Sequence, residues 1–423
     1  MISKKIKRYS KFILFILISA YLIKESLGNG DFKVFLEAAK LIANGETPYG
    51  EWIFVSEGNY AEYFYSPFWA LLLIPFSYVP SYIPNMIWLI LNVFFLYRSW
   101  KLISKYYSSL NLTKRQLNLI LIFVAALSFR FILYNFGMLQ MSIFLLWGIL
   151  ESVNLNSKKR FLIAGFLVAL IINIKVLPII LIPYFIYRVQ FKIVFVAFFF
   201  SFVLLIFPSI FLGWSFNNQL ISDWFIFINP ANSEHLIELK FGAHSLTALL
   251  PTLLMKTEGT FPYLRNITSL DTESVLFIIN LIRLSLVCSV LFFLKKPGPP
   301  HFKTNLHQIK ELSYLMLLIP LIFPRQQKYA FLLALPAQTY LLYFLTYTFQ
   351  FKQTFKLKWY TILACVILSF ILMTLTTDGI IGRELNRISQ HYKTITYGAL
   401  LLIPALFLAQ EKYFHVKVES DKI

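Results

Sequence analysis

The chain has 423 residues, 58% of them hydrophobic and only 14% charged, and its 39 lysines and arginines outnumber 20 acids to give a formal net charge of +19. A soluble domain carries about 25% charged residues, so this composition describes a multi-span, all-α membrane protein with no polar stretch long enough to build a soluble core. The two cysteines, Cys288 and Cys365, both lie inside apolar runs and point to neither a disulfide nor a metal site.

A span needs roughly 20 apolar residues, fewer where it is broken. In chain order the hydropathy predicts helices over 11–27, 84–103, 117–134, 139–155, 161–174, 176–189, 192–213, 273–294, 311–324, 329–348, 359–377 and 394–410. That is about twelve spans in a single transmembrane domain, 1–423. No small-residue cleavage site follows the first run, so it reads as a retained helix. Basic clusters at Lys4–Lys11, Arg98–Arg115, Lys158–Arg160, Arg188–Lys192, Lys295–Lys310, Lys352–Lys358 and Lys412–Lys422 all fall on one side of this topology. That side is therefore the cytoplasm, with both termini in it, and the expected residence is a cytoplasmic (inner) membrane. The positive charge is thus a topology signal. It does not mark a nucleic-acid surface, for which no folded polar module is present.

Two long segments, 28–82 and 214–272, are then extracytoplasmic, and both are too apolar for free loops. Phe32, Phe35, Ala39 and Ile42 share one face of a helix starting at Asp31, with Gly45 as its stop. The apolar stretch Ser66–Pro80 is short and bounded by prolines, and counting it as a span would put every later basic cluster outside. It reads as an interfacial or re-entrant helix. His244–Leu254 is the corresponding short apolar piece of the second loop.

The polar residues gather at one face. Asp31, Glu62, Tyr63, Tyr65, Arg130, Asn135, Gln140, Lys175, His244, Arg325, Lys328 and Arg383 all come to the outer side of the predicted topology. An ionisable group at membrane depth costs roughly 2.5–3.5 kcal/mol and needs a partner or a wet cavity. Lys175, flanked by apolar residues between two short helices, fits an anion site or a side chain snorkelling to the interface. Asp31 fits a catalytic carboxylate or a plain helix N-cap. Arg325 and Lys328 fit a site or an ordinary short loop, His244 a core histidine, and Tyr63 and Tyr65 interface anchors. Arg283 lies mid-helix and calls for an acid or a backbone carbonyl. No Asp-x-Asp, phosphate loop, His-Glu-x-x-His or Gly-x-Ser-x-Gly motif occurs. An activated substrate for such a chain would arrive lipid-linked.

Asp31-Phe32 with Phe35, Ala38-Ala39, Gly45 and Pro48-Tyr49 resembles the opening motif of glycosyltransferase family 87, the polyprenyl-phosphate-mannose-dependent mannosyltransferases. Tyr65-Ser66-Pro67 resembles that family's tyrosine-proline-proline segment. Phe129-Arg130, Asn135, Gly137 and Gln140 resemble its arginine, asparagine and glycine-glutamine region, with Met138-Leu139 inserted here. Ala164-Gly165 with Lys175 and Pro178 resembles its lysine-x-x-proline motif, and Gly213-Trp214 and His244-Ser245-Leu246 resemble later elements, His244 standing where an amide is usual. The resemblance runs over roughly 28–345. Arg325-Gln326-Gln327-Lys328 departs from the tryptophan and histidines usual in the late loop.

The resemblance implies a GT-C fold and Asp31 as catalytic base. The implied reaction moves a hexose, mannose by the family's habit, from a polyprenyl-phosphate sugar to a lipid or glycan acceptor, with inversion. Lys175, Arg325, Lys328 and Arg130 would bind the donor phosphate, and Tyr63, Tyr65, Asn135, Gln140 and His244 the remaining substrate. No cofactor and no metal are expected, and the partners are donor, acceptor and membrane lipids. The rival readings are a transporter or lipid-linked oligosaccharide flippase, which predicts pseudo-symmetric halves, and a lipid-linked polysaccharide ligase or polymerase.

Overall fold

The computed structural model describes residues 2–28, 30–229, 233–239, 241–257, 260–294, 298, 305–349 and 355–414. Of the basic clusters, Lys295, Lys296, Lys303, Lys352, Lys417 and Lys422 lie outside the described residues. The chain is predominantly α-helical. By length and composition, six of the described helices can each cross a bilayer: Tyr82–Tyr106, Lys114–Gly137, Phe191–Leu212, Thr272–Leu294, Lys328–Thr348 and Lys356–Leu375. Other predicted spans are shorter apolar helices, such as Phe161–Ile174 and Thr394–Leu408. The protein is an all-α, multi-pass membrane protein.

Two compact units emerge. The first comprises Met1–Ser99, Tyr134–Val176 and Phe195–Ile228, the second Trp100–Leu133, Leu177–Val194 and Asn229–Ile423. The first opens with α1 (Ile2–Ser26) and α2 (Phe32–Ala43). α2 buries the expected stripe of Phe32, Phe35, Ala39 and Ile42 and ends before Gly45, whose φ of 82° suits glycine. A β-hairpin follows, β1 (Ile53–Ser56) against β2 (Asn59–Ala61), turning at Gly58 with φ 68°. This hairpin is absent from the sequence reading, which gave 28–82 only helices. α3 (Pro67–Ser77) is the short proline-bounded helix: Ser66 caps it by accepting from the Trp69 amide, and Pro67 sits at its first turn, where no amide partner is needed.

α4 (Tyr82–Tyr106), α5 (Lys114–Gly137), α6 (Ser142–Ser157) and α7 (Phe161–Ile174) follow. Within the first unit Arg98 of α4 grips Glu151 of α6 with two parallel hydrogen bonds, Nε to Oε2 at 2.7 Å and Nη2 to Oε1 at 3.0 Å. α3 packs on α7 through Phe68 and Ala169, and Leu204 of the helix Phe191–Ile206 completes that cluster. α6 and α7 approach closely at Gly148, where an added Cβ would stand 2.5 Å from Ile171 Cγ2.

In the second unit the later helices pack around stacked aromatic pairs. Tyr107 lies 3.8 Å from Tyr343 and Phe293 3.9 Å from Tyr314, centroid to centroid. Glu311 is fully buried and held by Arg188, by Tyr184 and by His307 Nε2 at 2.8 Å. The helix Asp378–His391, which bends at Gly382 with φ 78°, lies in a stretch too polar to register as a span. Arg283 in the helix Thr272–Leu294 donates to Asn280 Oδ1 at 3.1 Å, so an amide one turn back takes the place of the expected acid or carbonyl.

Gly148→Ala forces α6 and α7 apart and is expected to cost about 1–3 kcal/mol, read as a lowered thermal unfolding midpoint of the purified protein in detergent.

Candidate active site

The first unit builds its site on the turn between α5 and α6. Leu139 takes a left-handed conformation, φ 53°, and lets the chain reverse. Asn135 pins the reversal from both sides. Its Nδ2 donates to the Gln140 carbonyl at 3.2 Å, and its Oδ1 accepts from the Ser142 amide at 3.1 Å, satisfying one of the orphan donors at the start of α6. The turn then receives the chain entering α2. The Asp31 amide donates to the Met138 carbonyl at 3.0 Å. Gly30 lies so close that a Cβ there would stand 2.9 Å from the Met138 carbonyl carbon and oxygen. Only glycine admits that approach. Gly30 escaped the sequence reading, although Gly28-Asn29-Gly30 directly before an acid is a signal for close backbone contact.

Asp31 heads α2, but its side chain caps nothing there. The plain N-cap reading therefore fails. The carboxylate Oδ2 instead accepts a short hydrogen bond from Gln140 Nε2. Gln140 Oε1 in turn accepts from the Tyr65 hydroxyl at 3.2 Å, and the Lys175 ammonium donates to that hydroxyl oxygen at 3.5 Å. A carboxylate and an ammonium thus stand at the two ends of a neutral chain, amide then phenol. Lys175 also lies 5.4 Å from the Tyr65 ring centroid. Phe35 packs edge-on against Tyr65, at 4.5 Å, and against Tyr63. Tyr63 donates to the Ser66 carbonyl and Tyr49 to the Tyr65 carbonyl, each at 2.9 Å, which fixes the aromatic floor.

Burial raises the Asp31 carboxyl above its usual range, opposed by the Gln140 hydrogen bond and by the positive Lys175. Burial also pushes Lys175 down to about 8, with Asp31 holding part of its charge. At neutral pH Lys175 therefore stays mostly protonated.

The second unit gathers other predicted residues. Arg130 gives Nη1 to the Met373 carbonyl and to Thr376 Oγ1, each at 2.7 Å, along the π-helical turn Ile371–Leu375. His244 is fully buried. Its amide donates to the Gln326 carbonyl at 2.8 Å, its carbonyl accepts from Thr396, and neither ring nitrogen has a hydrogen-bond partner. Burial, with Lys393, Lys328 and Arg130 in electrostatic range, holds its imidazole well below the usual range and therefore neutral. Arg325, in a left-handed conformation, pairs with Glu238 at 3.7 Å. Lys393 joins this group unforeseen. It is buried, donates to the Phe241 carbonyl at 3.1 Å, and is pushed down to about 7 chiefly by desolvation.

So Asp31, Tyr63, Tyr65, Asn135, Gln140 and Lys175 come together in one unit, and Arg130, His244, Arg325 and Lys328 belong to the other. Arg383 is exposed and joins neither group.

Against known proteins, the model of glycosyltransferase family 87 matches residues 63–293, just over half of the chain. The match contains Tyr65, Arg130, Gln140, Lys175 and His244; Asp31 precedes it, and Arg325 and Lys328 follow it. No curated protein and no solved structure matches the chain.

Lys175→Met removes the cation that favours the ionised Asp31. The carboxyl C=O band of Asp31, assigned by infrared difference against Asp31→Asn, is expected to persist to higher pH in that variant than in the parent.

Proposed function

The chain belongs to glycosyltransferase family 87, and on that premise we propose that it moves a hexose, by family habit mannose, from a polyprenyl-phosphate sugar to a lipid or glycan acceptor at the extracytoplasmic face of the cytoplasmic membrane. Membership of a family of glycosyltransferases is what the transporter and flippase reading lacks. The observation that carries the mechanism is the chain Asp31–Gln140–Tyr65–Lys175, which holds a half-buried carboxylate and a half-buried cation apart yet connected.

Asp31 accepts the proton of the acceptor hydroxyl as that oxygen attacks the anomeric carbon. The new C–O bond forms as the bond from that carbon to the phosphate oxygen breaks, and polyprenyl phosphate leaves. A single displacement inverts the centre. Negative charge grows on the leaving phosphate, and Lys175 stabilises it where water is scarce. Gln140 is a positioning residue, holding the carboxylate and favouring its ionised form. Tyr65 sets the Lys175 ammonium, and Tyr63 and Asn135 hold the floor and the turn beneath. In the second unit Arg130 and Lys328, in electrostatic range of each other, suit phosphate chemistry, with Arg325 of the same unit as a further candidate, and His244, neutral and buried, suits a polar substrate contact.

Purified protein is expected to transfer label from a polyprenyl-phosphate hexose, and Asp31→Asn to lower kcat about 10²–10⁴-fold, the usual worth of a general base. Full activity in that variant refutes the assignment.

The pH profile follows from the same groups. Activity rises with pH as Asp31 ionises, above the ordinary carboxylate range, and falls again near 8 as Lys175 loses its proton. Gln140→Leu removes a donor to the charged carboxylate and is expected to move the acid limb to higher pH. Lys175→Met is expected to remove the alkaline limb. An alkaline limb unchanged in Lys175→Met excludes the lysine from it.

A further inference from the structure

The first unit holds a second concavity on α2, outside the Asp31 cluster. This cavity of about 840 Å³ is lined by Lys33, Glu37 and Leu41 of α2, by Glu46 and Glu51, and by Trp52 and Phe54 at the edge of the hairpin. Ligand pockets typically measure about 300–1,000 Å³. Its rings are exposed: Trp52 is 54% accessible and Phe54 48%, with Tyr60 on the paired strand at 53% and 5.6 Å from Phe54. Lys33 stands 4.6 Å over the Phe54 ring and donates to the Val55 carbonyl at 3.0 Å, which fixes the hairpin to α2.

Three carboxylates lie among these rings; Glu37 is paired with Lys40 at 2.8 Å, and Glu46 and Glu51 beside it exclude a lipid-facing surface, where unpaired acids are costly. They also set the ligand's charge. With Glu37 offset by its partner Lys40 and a further ammonium at Lys33, an excess of one negative charge remains, which repels an anionic headgroup. Among the described residues no acids converge as metal ligands, so a metal ion does not explain them. Carboxylates only accept hydrogen bonds, and a hydroxyl-rich ligand supplies donors. Aromatic faces offer an apolar platform to the C–H face of a ring.

We propose that this cavity binds the neutral saccharide portion of the acceptor, with Trp52 and Phe54 as stacking platforms and Glu37, Glu46 and Glu51 accepting from sugar hydroxyls. The assignment to the acceptor rests on the glycosyltransferase mechanism above; the binding itself does not. Because α2 carries both the cavity and Asp31, the helix couples a glycan-holding surface to the proposed base.

The test uses full-length protein in detergent and three probes: a neutral hexose tetrasaccharide, a uronic-acid tetrasaccharide of the same length, and an oligolysine peptide. Saturation-transfer NMR and calorimetry are expected to show binding of the neutral sugar, weakened about tenfold or more in Trp52→Ala, the loss expected from truncating one energetically dominant contact. Both side chains chosen for substitution, Trp52 and Phe54, are exposed, and an unchanged unfolding midpoint verifies folding in Trp52→Ala and Phe54→Ala. Asp31→Asn is expected to bind the sugar as the parent does. Loss of transfer with retained binding then separates this site from the base. The proposal is overturned by absence of neutral-sugar binding, by equal binding in Trp52→Ala, or by tighter binding of the uronic acid or the peptide than of the neutral sugar.

Discussion

The base role proposed for Asp31 requires a carboxylate that is ionised yet not neutralised by a permanent partner, and its surroundings in the first unit meet that constraint. An ammonium in direct contact would lower the carboxyl pKa by about 1–3 units and remove its basicity. Here Gln140 and Tyr65 intervene. Each is neutral, each can donate and accept, and together they connect Asp31 to Lys175 without a contact ion pair. Burial raises the acid and lowers the amine, so both groups titrate nearer neutrality than they do in water. The arrangement depends on one amide. Gln140 reaches Asp31 only because Asn135 and the left-handed Leu139 fix the turn, and because Gly30 has no side chain to keep the two backbones apart.

Much of this was legible because its signals are periodic or costly. The apolar stripe of α2 repeats at helical spacing, and Lys175 announces itself as a charge in an apolar run. The proline-bounded α3 is marked by its length. The connections were not legible, because they are long-range: Gln140 lies 109 residues from Asp31, and Lys175 110 from Tyr65. Hydropathy also hides what is locally polar or locally aromatic. The helix Asp378–His391 carries too much charge to register as a span. The hairpin Ile53–Ser56 and Asn59–Ala61 is too short to separate by period from the helices on either side.

The second unit repeats one device. Where a helix departs from α geometry, carbonyls lose their intrahelical donors, and at membrane depth that is tolerated only if other groups replace them. The π-helical turn Ile371–Leu375 is met by Arg130, which donates to the Met373 carbonyl. The irregular stretch before the 3-10 segment Lys328–Ala334 is met by the chain at Ala243–His244, whose amide takes the Gln326 carbonyl. Lys393, left-handed at the start of Thr394–Leu408, donates back to Phe241. Arg130 and Lys393 thus serve exposed backbone carbonyls, so the presence of a cation alone does not distinguish a substrate site from backbone repair. His244 is placed differently. Its backbone is fully engaged, yet both ring nitrogens are buried without partners, an expensive state for a group that serves only packing. That unspent polarity contrasts with Arg130, which is engaged by the Met373 carbonyl and Thr376 Oγ1, with Lys393, which is engaged by the Phe241 carbonyl, and with Arg325, which faces the Glu238 carboxylate.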